Sequence, residues 1–319
     1  MREINRVAVI GAGVIGASFA LLFAKNGLEV NLYDISKDAL DAGINNISKN
    51  VDTLIDMGLV TPEEKKRILE RVKIFDSLKD ALSDVDFIQE NGPERINIKR
   101  EMLKEIEEYA PTDAIYSSST SGLLISDIAK EAKYGERCIG GHPYNPPHLI
   151  PLIELTYTDK TSKECIEATK KFYESLGKEV VIINKECPGF IANRLQLAVY
   201  REMIDLVMRG VCSAEDADKA LTYGPGIRWA IFGHNMIMQL GNPKGLTGMM
   251  EMLGDGGDVW LRDMADWKHI PREEYVKIAQ PSVDEMMKNF PDYKGHDNAS
   301  CAKFRDKSLI EILKLHKKI

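Results

Sequence analysis

Two rhythms divide the chain. Up to about residue 185, short apolar runs alternate with stretches whose apolar positions recur every three or four residues. RVAVI leads into glycines, and ASFALLFAKNG then carries helical spacing and stops at Gly27. EVNLYD, RVKIF, VDFIQE, AIYSSS, RCIGGH and KEVVIINK repeat the strand-like pattern, with helical stretches between several of them. This alternation predicts a doubly wound, mainly parallel sheet. The segment from Ser36 to Arg71 departs from a plain strand–helix–strand unit: it reads as a pair of helices, the second opened by Thr61, Pro62 and Glu64. After Pro188 the strand pattern fades. GFIANRLQLAVYREMIDLVMRG reads as a long amphipathic helix ending at Gly210, SAEDADKALTYG opens on a Ser213 cap, and the remainder is helical in pattern. The expected organisation is an α/β domain with a helical insertion over residues 1–186, followed by an all-α domain over 187–319.

Composition narrows the field. Of 319 residues, 44% are hydrophobic and 29% charged, the mix of a globular protein. A formal charge of -7, without a Lys/Arg tract, argues against nucleic acid as a partner. The five cysteines, Cys138, Cys165, Cys187, Cys212 and Cys301, form no C-x-x-C pair, so no metal site is expected and a reduced, cytoplasmic setting fits. MREINRVAVIGAGVIG enters a strand at once, without the basic start of a signal peptide. No apolar run reaches the roughly 18 residues of a membrane-crossing helix, so no membrane partner is expected.

GAGVIG places Gly11, Gly13 and Gly16 in G-x-G-x-x-G spacing between a strand and a helix, the context that gives the pattern meaning. The first glycine permits a tight turn, the second lets backbone approach a pyrophosphate, and the third packs helix on strand. Val14 and Ile15 lie inside the same loop and join the cofactor candidates. Asp34 ends the second strand, 18 residues beyond Gly16; a carboxylate there accepts from a ribose diol and repels a 2′-phosphate, which favours NAD over NADP. The fold expected is therefore Rossmann-like. The bland alternative is a glycine-rich turn with Asp34 as a helix cap. Glu90, at the end of the fourth strand, is a candidate for the nicotinamide side, and Lys99 is a second cofactor candidate, although a helix lysine is commonly solvated. Glu94 reads as the cap or start of the helix that follows.

GHPYNPPHLIPLIEL places His142 after a strand and Glu154 inside an apolar run that can pair back beside it. Removing an alcohol proton as hydride leaves is work for a histidine, and a neighbouring carboxylate orients the imidazole and stabilises its protonated form. The alternative is a capping histidine and an edge-strand glutamate. His148 and the remaining histidines lack motif context.

VIGAGVIGASFA, SSSTSGL, GHPYNPP with LIEL, and PGFIANRL occur together in one order, and by them the chain resembles the 3-hydroxyacyl-CoA dehydrogenase superfamily over nearly its whole length. The resemblance implies acid/base roles for His142 and Glu154, contacts to the substrate or reacting oxygen from Ser121 and Asn193, a further site residue in Asn145, and a helical domain that dimerises. GPGIRWAIFG, ENGPERINIK and KFRDKSLIEIL bring it closest to the gulonate 3-dehydrogenase (lambda-crystallin) and carnitine dehydrogenase branch. Pro143–Tyr144 stands where acyl-CoA members carry an aromatic pair. The substrate implied is a small polar 3-hydroxy acid, with a 3-hydroxyacyl-CoA as the alternative; a non-catalytic NAD-binding or structural protein also remains, since a crystallin belongs to this branch. In GPGIRWA, Gly224, Pro225 and Gly226 make a turn, Arg228 offers a guanidinium to a free carboxylate, and Trp229 a flat face to an apolar or quaternary ammonium group. An interface ion pair and a buried anchor are the alternatives for these two. The methionines of HNMIMQL and MMEML read as helix packing or a dimer core.

Overall fold

In the computed structural model, which describes residues 4–319, the strand-like runs assemble into one eight-stranded sheet of order β3-β2-β1-β4-β5-β6-β7-β8. The strands are β1 (Arg6–Ile10), β2 (Glu29–Tyr33), β3 (Val72–Phe75), β4 (Phe87–Glu90), β5 (Ile115–Ser118), β6 (Cys138–Pro143), β7 (Leu152–Tyr157) and β8 (Glu179–Ile182). All pairings are parallel except β6 with β7. Order 3-2-1-4-5-6 is that of a doubly wound nucleotide-binding sheet, whose ligand crevice opens where strand order reverses, between β1 and β4. The central strands β4 and β5 are buried at every position, which explains runs without alternation.

Helices cover both faces. Helix α1 (Val14–Lys25) and α7 (Lys163–Ser175) lie on one, with Phe19, Phe23, Phe87, Phe172 and Tyr173 in a continuous aromatic cluster, Phe87 and Phe172 centred 4.6 Å apart. Short α4 (Leu78–Leu82), α5 (Ile96–Tyr109) and short α6 (Ile125–Ile128) belong to the other, where Ile10, Ile88, Leu103, Ile106 and Ile128 share a core. Helix α1 ends where the sequence stops it: Gly27, at φ 95°, donates to Ala24 O while Leu28 donates to Phe23 O, closing the last turn. The insertion is the expected pair, α2 (Lys37–Asp56) and α3 (Pro62–Arg71). Thr61 Oγ1 accepts from Glu64 N–H at 3.2 Å and Glu64 Oε2 from Thr61 N–H at 2.7 Å, a reciprocal cap on two otherwise unpaired helix amides.

The chain divides into two compact units, Met1–Asn193 and Arg194–Ile319. The second is helical throughout its regular structure: the bulk of α8 (Ala192–Met208), then α9 (Ala214–Leu221), α10 (Ile227–Trp229), α11 (His234–Leu240), α12 (Gly245–Asp263), α13 (Arg272–Lys288) and α14 (Asn298–Leu315). At the turn expected over Gly224–Gly226 the helical path kinks: Gly224 leaves helical backbone geometry at φ -98° and ψ -108°, and Pro225 follows it. Val207, Ala214, Ala217 and Ala279 form a small core in this unit. Leu195, Leu197, Tyr200, Trp260 and Leu261 stay exposed, and so do Met236, Met250 and Met252. Met238 and Met249 are half-buried, with Met249 against Gly241, so part of the methionine-rich stretch packs helix on helix while the rest faces outward.

Candidate active site

The glycine loop leaves β1 at the carboxyl edge of the sheet. Gly11 adopts φ 97° and donates to Tyr33 O at 2.8 Å; a Cβ there would stand 2.9 Å from Asn91 O. A Cβ on Gly16 would strike Gly11 O, so α1 can start this close only with glycine. At Gly13 no atom would meet a Cβ within 4 Å, no side chain caps α1, and its first turn carries no acid. Open space over free helix amides suits a pyrophosphate. Asp34 Oδ2 accepts from Ala12 N–H at 2.8 Å and Oδ1 from Ser36 N–H at 3.0 Å. These bonds fix the carboxylate beside the loop. The cap of α2 is Ser36, which accepts from Ala39 N–H, so Asp34 is not doing that work. A cleft of about 760 Å³ runs past Gly11, Gly13, Asp34, Asn91 and Pro93, with Tyr33 and Met102 as apolar walls. Taken together, these residues fit a dinucleotide.

Glu90 and Lys99 bind each other rather than the cleft. Glu90 is 0% and Lys99 1% exposed, with Lys99 Nζ 2.8 and 2.9 Å from the two carboxylate oxygens. Tyr116 and Ser118 hydroxyls and Gly92 N–H also donate to Glu90. A buried pair needs such saturation, because burial penalises both charges. The solvated-lysine alternative for Lys99 does not hold. Glu94 corrects a second expectation: α5 has no side-chain cap, and Glu94 Oε1 instead accepts from Thr120 Oγ1 at 2.7 Å and from Ser121 and Gly122 N–H at 2.9 and 3.0 Å. It anchors the loop after β5.

The antiparallel β6–β7 register puts Glu154 directly opposite His142. His142 Nδ1 lies 2.8 Å from Glu154 Oε2, and the residues are 4% and 1% exposed. A carboxylate only accepts, so Nδ1 carries a proton; in the neutral imidazole this leaves the lone pair on Nε2. Glu154 Oε1 accepts from Ile191 and Ala192 N–H, each at 2.9 Å. Burial alone would raise the Glu154 carboxyl, but the bonds from His142, Ala192 and Ile191 outweigh it and hold it below the usual range. Those amides are aimed by a tight turn in which Gly189 and Phe190 both adopt positive φ, 76° and 52°. Positive φ is strained for a bulky residue. Here it buries the Phe190 ring 5.3 Å from the His142 ring.

Asn193 Nδ2 donates to Ser121 O at 3.1 Å, so these two candidates adjoin each other, and Glu94 holds the same loop. Asn145 is exposed in the turn after His142, where Tyr144 stands edge-on to the imidazole at 6.2 Å. Arg228 and Trp229 belong to α10 in the second unit; both are exposed, and Trp229 Nε1 donates to His234 Nδ1 at 3.0 Å. The buried-anchor alternative for Trp229 does not hold. Phe190 and the loop-holding role of Glu94 escaped the sequence, because nothing local announces a left-handed phenylalanine or a bond spanning 27 positions. Among the described residues no cluster of three or more His, Cys, Asp or Glu could hold a metal ion, and no helix is long and apolar enough to cross a membrane.

Comparison with known proteins agrees with this geometry. Residues 6–187 match the model of the 3-hydroxyacyl-CoA dehydrogenase NAD binding domain, and 189–280 that of the 3-hydroxyacyl-CoA dehydrogenase C-terminal domain. An L-carnitine dehydrogenase of Streptomyces coelicolor is 33% identical over 98% of this chain and 95% of its own length. A 3-hydroxyacyl-CoA dehydrogenase of Gibberella moniliformis is 36% identical over 90% and 88%. The crystal structure of an NAD+ dependent dismutase, 5-formyl-3-hydroxy-2-methylpyridine 4-carboxylic acid 5-dehydrogenase, superposes with a TM-score of 0.79 at 25% identity, covering 99% of this chain and 98% of the other. Sheet, cleft and relatives together define an NAD-dependent dehydrogenase. The chain belongs to the 3-hydroxyacyl-CoA dehydrogenase family.

Proposed function

We propose that this protein oxidises the 3-hydroxyl of a small polar L-3-hydroxy acid, of carnitine or gulonate type, to the 3-keto acid. NAD, when bound, supplies the hydride acceptor. His142 is the general base: Nε2 takes the hydroxyl proton, and Glu154 holds the imidazole in the tautomer that leaves Nε2 free and stabilises the imidazolium that forms. Ser121 and Asn193 orient the reacting oxygen, and Asn145 borders it. Arg228 receives the substrate carboxylate and Trp229 packs on the group at the far end. Gly11, Gly13, Val14, Ile15, Gly16 and Asp34 hold NAD, while Glu90 and Lys99 contribute from beneath by fixing the turn that follows β4. In this reading residues 1–186 bind the cofactor, and 187–319 serve substrate and a homodimer contact. The supporting observation for the chemistry is the buried 2.8 Å His142–Glu154 pair at the carboxyl edge of the sheet. For a free acid, the support is similarity across almost the full length to L-carnitine dehydrogenase.

The similarity to a 3-hydroxyacyl-CoA dehydrogenase keeps the thioester as the second reading. NADH formation with L-carnitine, L-gulonate, 3-hydroxybutyrate and 3-hydroxybutyryl-CoA separates the two. A free acid is expected to turn over; efficient use of the thioester with no activity on any free acid rejects the first reading. His142→Asn is expected to lower kcat by about two to four orders of magnitude with NAD binding retained, and Glu154→Gln to lower it as well.

A further inference from the structure

The segment from Pro143 to Pro151 joins the members of the acid/base pair. Pro143, Pro146, Pro147 and Pro151 bring carbonyls and no N–H. Leu149 and Ile150 N–H both donate to Pro146 O, at 3.0 and 2.9 Å. The carbonyls of Pro147 and Ile150 are met from outside by Lys178 Nζ, the second at 2.9 Å. Lys178 is 5% exposed, and among the described residues no carboxylate pairs with it. Its backbone is fixed as well: Lys178 N–H donates to Tyr173 O at 3.1 Å, and Glu179 N–H to Pro151 O at 2.9 Å.

The other side of the segment is held by α1. His148 N–H donates to Ser18 Oγ at 2.9 Å, and Ser18 Oγ lies 2.7 Å from His148 Nδ1. The hydroxyl can accept from the amide and still either donate to Nδ1 or accept from it, so both contacts tie His148 to α1 in either tautomer. Burial, Lys178 and Lys25 hold its pKa down, to about 4, which keeps it neutral at any working pH. Ser18 stands two residues past Gly16, in the first turns of the helix that follows the glycine loop.

We propose that Lys178 and the Ser18–His148 pair form a two-sided clamp that positions the acid/base turn, Lys178 being a positioning residue that acts through the carbonyls of Pro147 and Ile150. The proposal rests on His142 and Glu154 being that pair. The β6–β7 ladder pairs His142 with Glu154, and the clamp adds a hold on the turn that joins them; a base must stand within hydrogen-bond reach of its proton. A clamp seated on α1 also ties the turn to the helix that follows the glycine loop. An ammonium cage of two carbonyls suits this use, because an amine that loses its charge still has two N–H groups to donate.

The test is a separation of kcat from cofactor affinity, measured with NAD and L-carnitine, or with 3-hydroxybutyryl-CoA if the panel selects it. Lys178→Met keeps the aliphatic stem and removes the donors. It is expected to lower kcat about tenfold or more, while the Kd of NAD by titration calorimetry stays within about twofold. A folded Lys178→Met protein with kcat within about twofold of wild type overturns the proposal, as does a parallel loss of NAD affinity, which would mark a general structural role. If Lys178→Met does not fold, Ser18→Ala takes its place with the same expectation, and unchanged kcat there overturns the clamp. His142→Asn keeps the two levels apart. Wild-type turnover in that variant defeats the acid/base reading and the clamp with it; lost turnover beside an unaffected Lys178→Met defeats the clamp alone.

Discussion

Asp34 is the residue on which the proposed cofactor preference turns. Its two oxygens are tied to Ala12 and Ser36 amides, so its charge is fixed beside the glycine loop rather than swinging in solvent. Asp34→Ser is expected to weaken NAD by about tenfold in kcat/KM and to relieve the exclusion of NADP. A wild-type enzyme that already prefers NADP by about tenfold in kcat/KM would refute that assignment. For Arg228, a free acid draws most of its binding from its carboxylate. Arg228→Met is expected to raise KM and lower kcat/KM by at least about tenfold for the acid, with lysine restoring only part, because it lacks the planar fork. An equal loss for 3-hydroxybutyryl-CoA would return Arg228 to an interface role. The glycine spacing and the His142–Glu154 pairing had local motifs and were legible as candidates. Glu94 was not: its identity was plain, but its partners lie on another loop.

Elements carry the next level. Caps and helix stops were readable, since Thr61, Glu64 and Gly27 act within a few positions of themselves. The strand return of LIPLIEL was readable as a possibility, and its register is what sets Glu154 opposite His142. Lys178, ahead of β8, was not readable as a buried group. Its burial, with some help from Lys25, pushes its pKa down to about 7 from the ordinary 10.5. Between those values the unfolded chain binds more protons than the folded one, so stability from this group rises with pH from about 7 to about 10.5. The gap in unfolding free energy between wild type and Lys178→Met should therefore change in favour of wild type as pH increases, by at most about 1.4 kcal/mol per unit. Urea unfolding at two pH values in that window checks it, and a pH-independent gap would contradict the burial of the charge.

At the scale of the molecule, the helical unit leaves more apolar surface than one small core can cover. Leu195, Leu197, Tyr200, Trp260 and Leu261 are exposed beside a core of one valine and three alanines. A second copy of the chain is the occupant proposed for these side chains, since exposed large apolar residues in such number suit an interface. Light scattering at micromolar concentration is expected to return twice the chain mass of 35.8 kDa, and a monomer would remove the homodimer from the proposal.

Periodicity, turn residues and the glycine spacing determined the α/β architecture, the helical insertion, the change to an all-helical second part and the dinucleotide loop, because each depends on neighbours a few positions apart. The tertiary structure decided what depends on distance across the chain. It placed Glu90 and Lys99 on each other, turned Phe190 left-handed beneath His142, set Glu94 under Ser121, and gathered Ser18, His148 and Lys178 around one turn. A sequence shows which groups can donate or accept. Which of them are removed from water, and must therefore find each other, is settled only when the sheet closes over them.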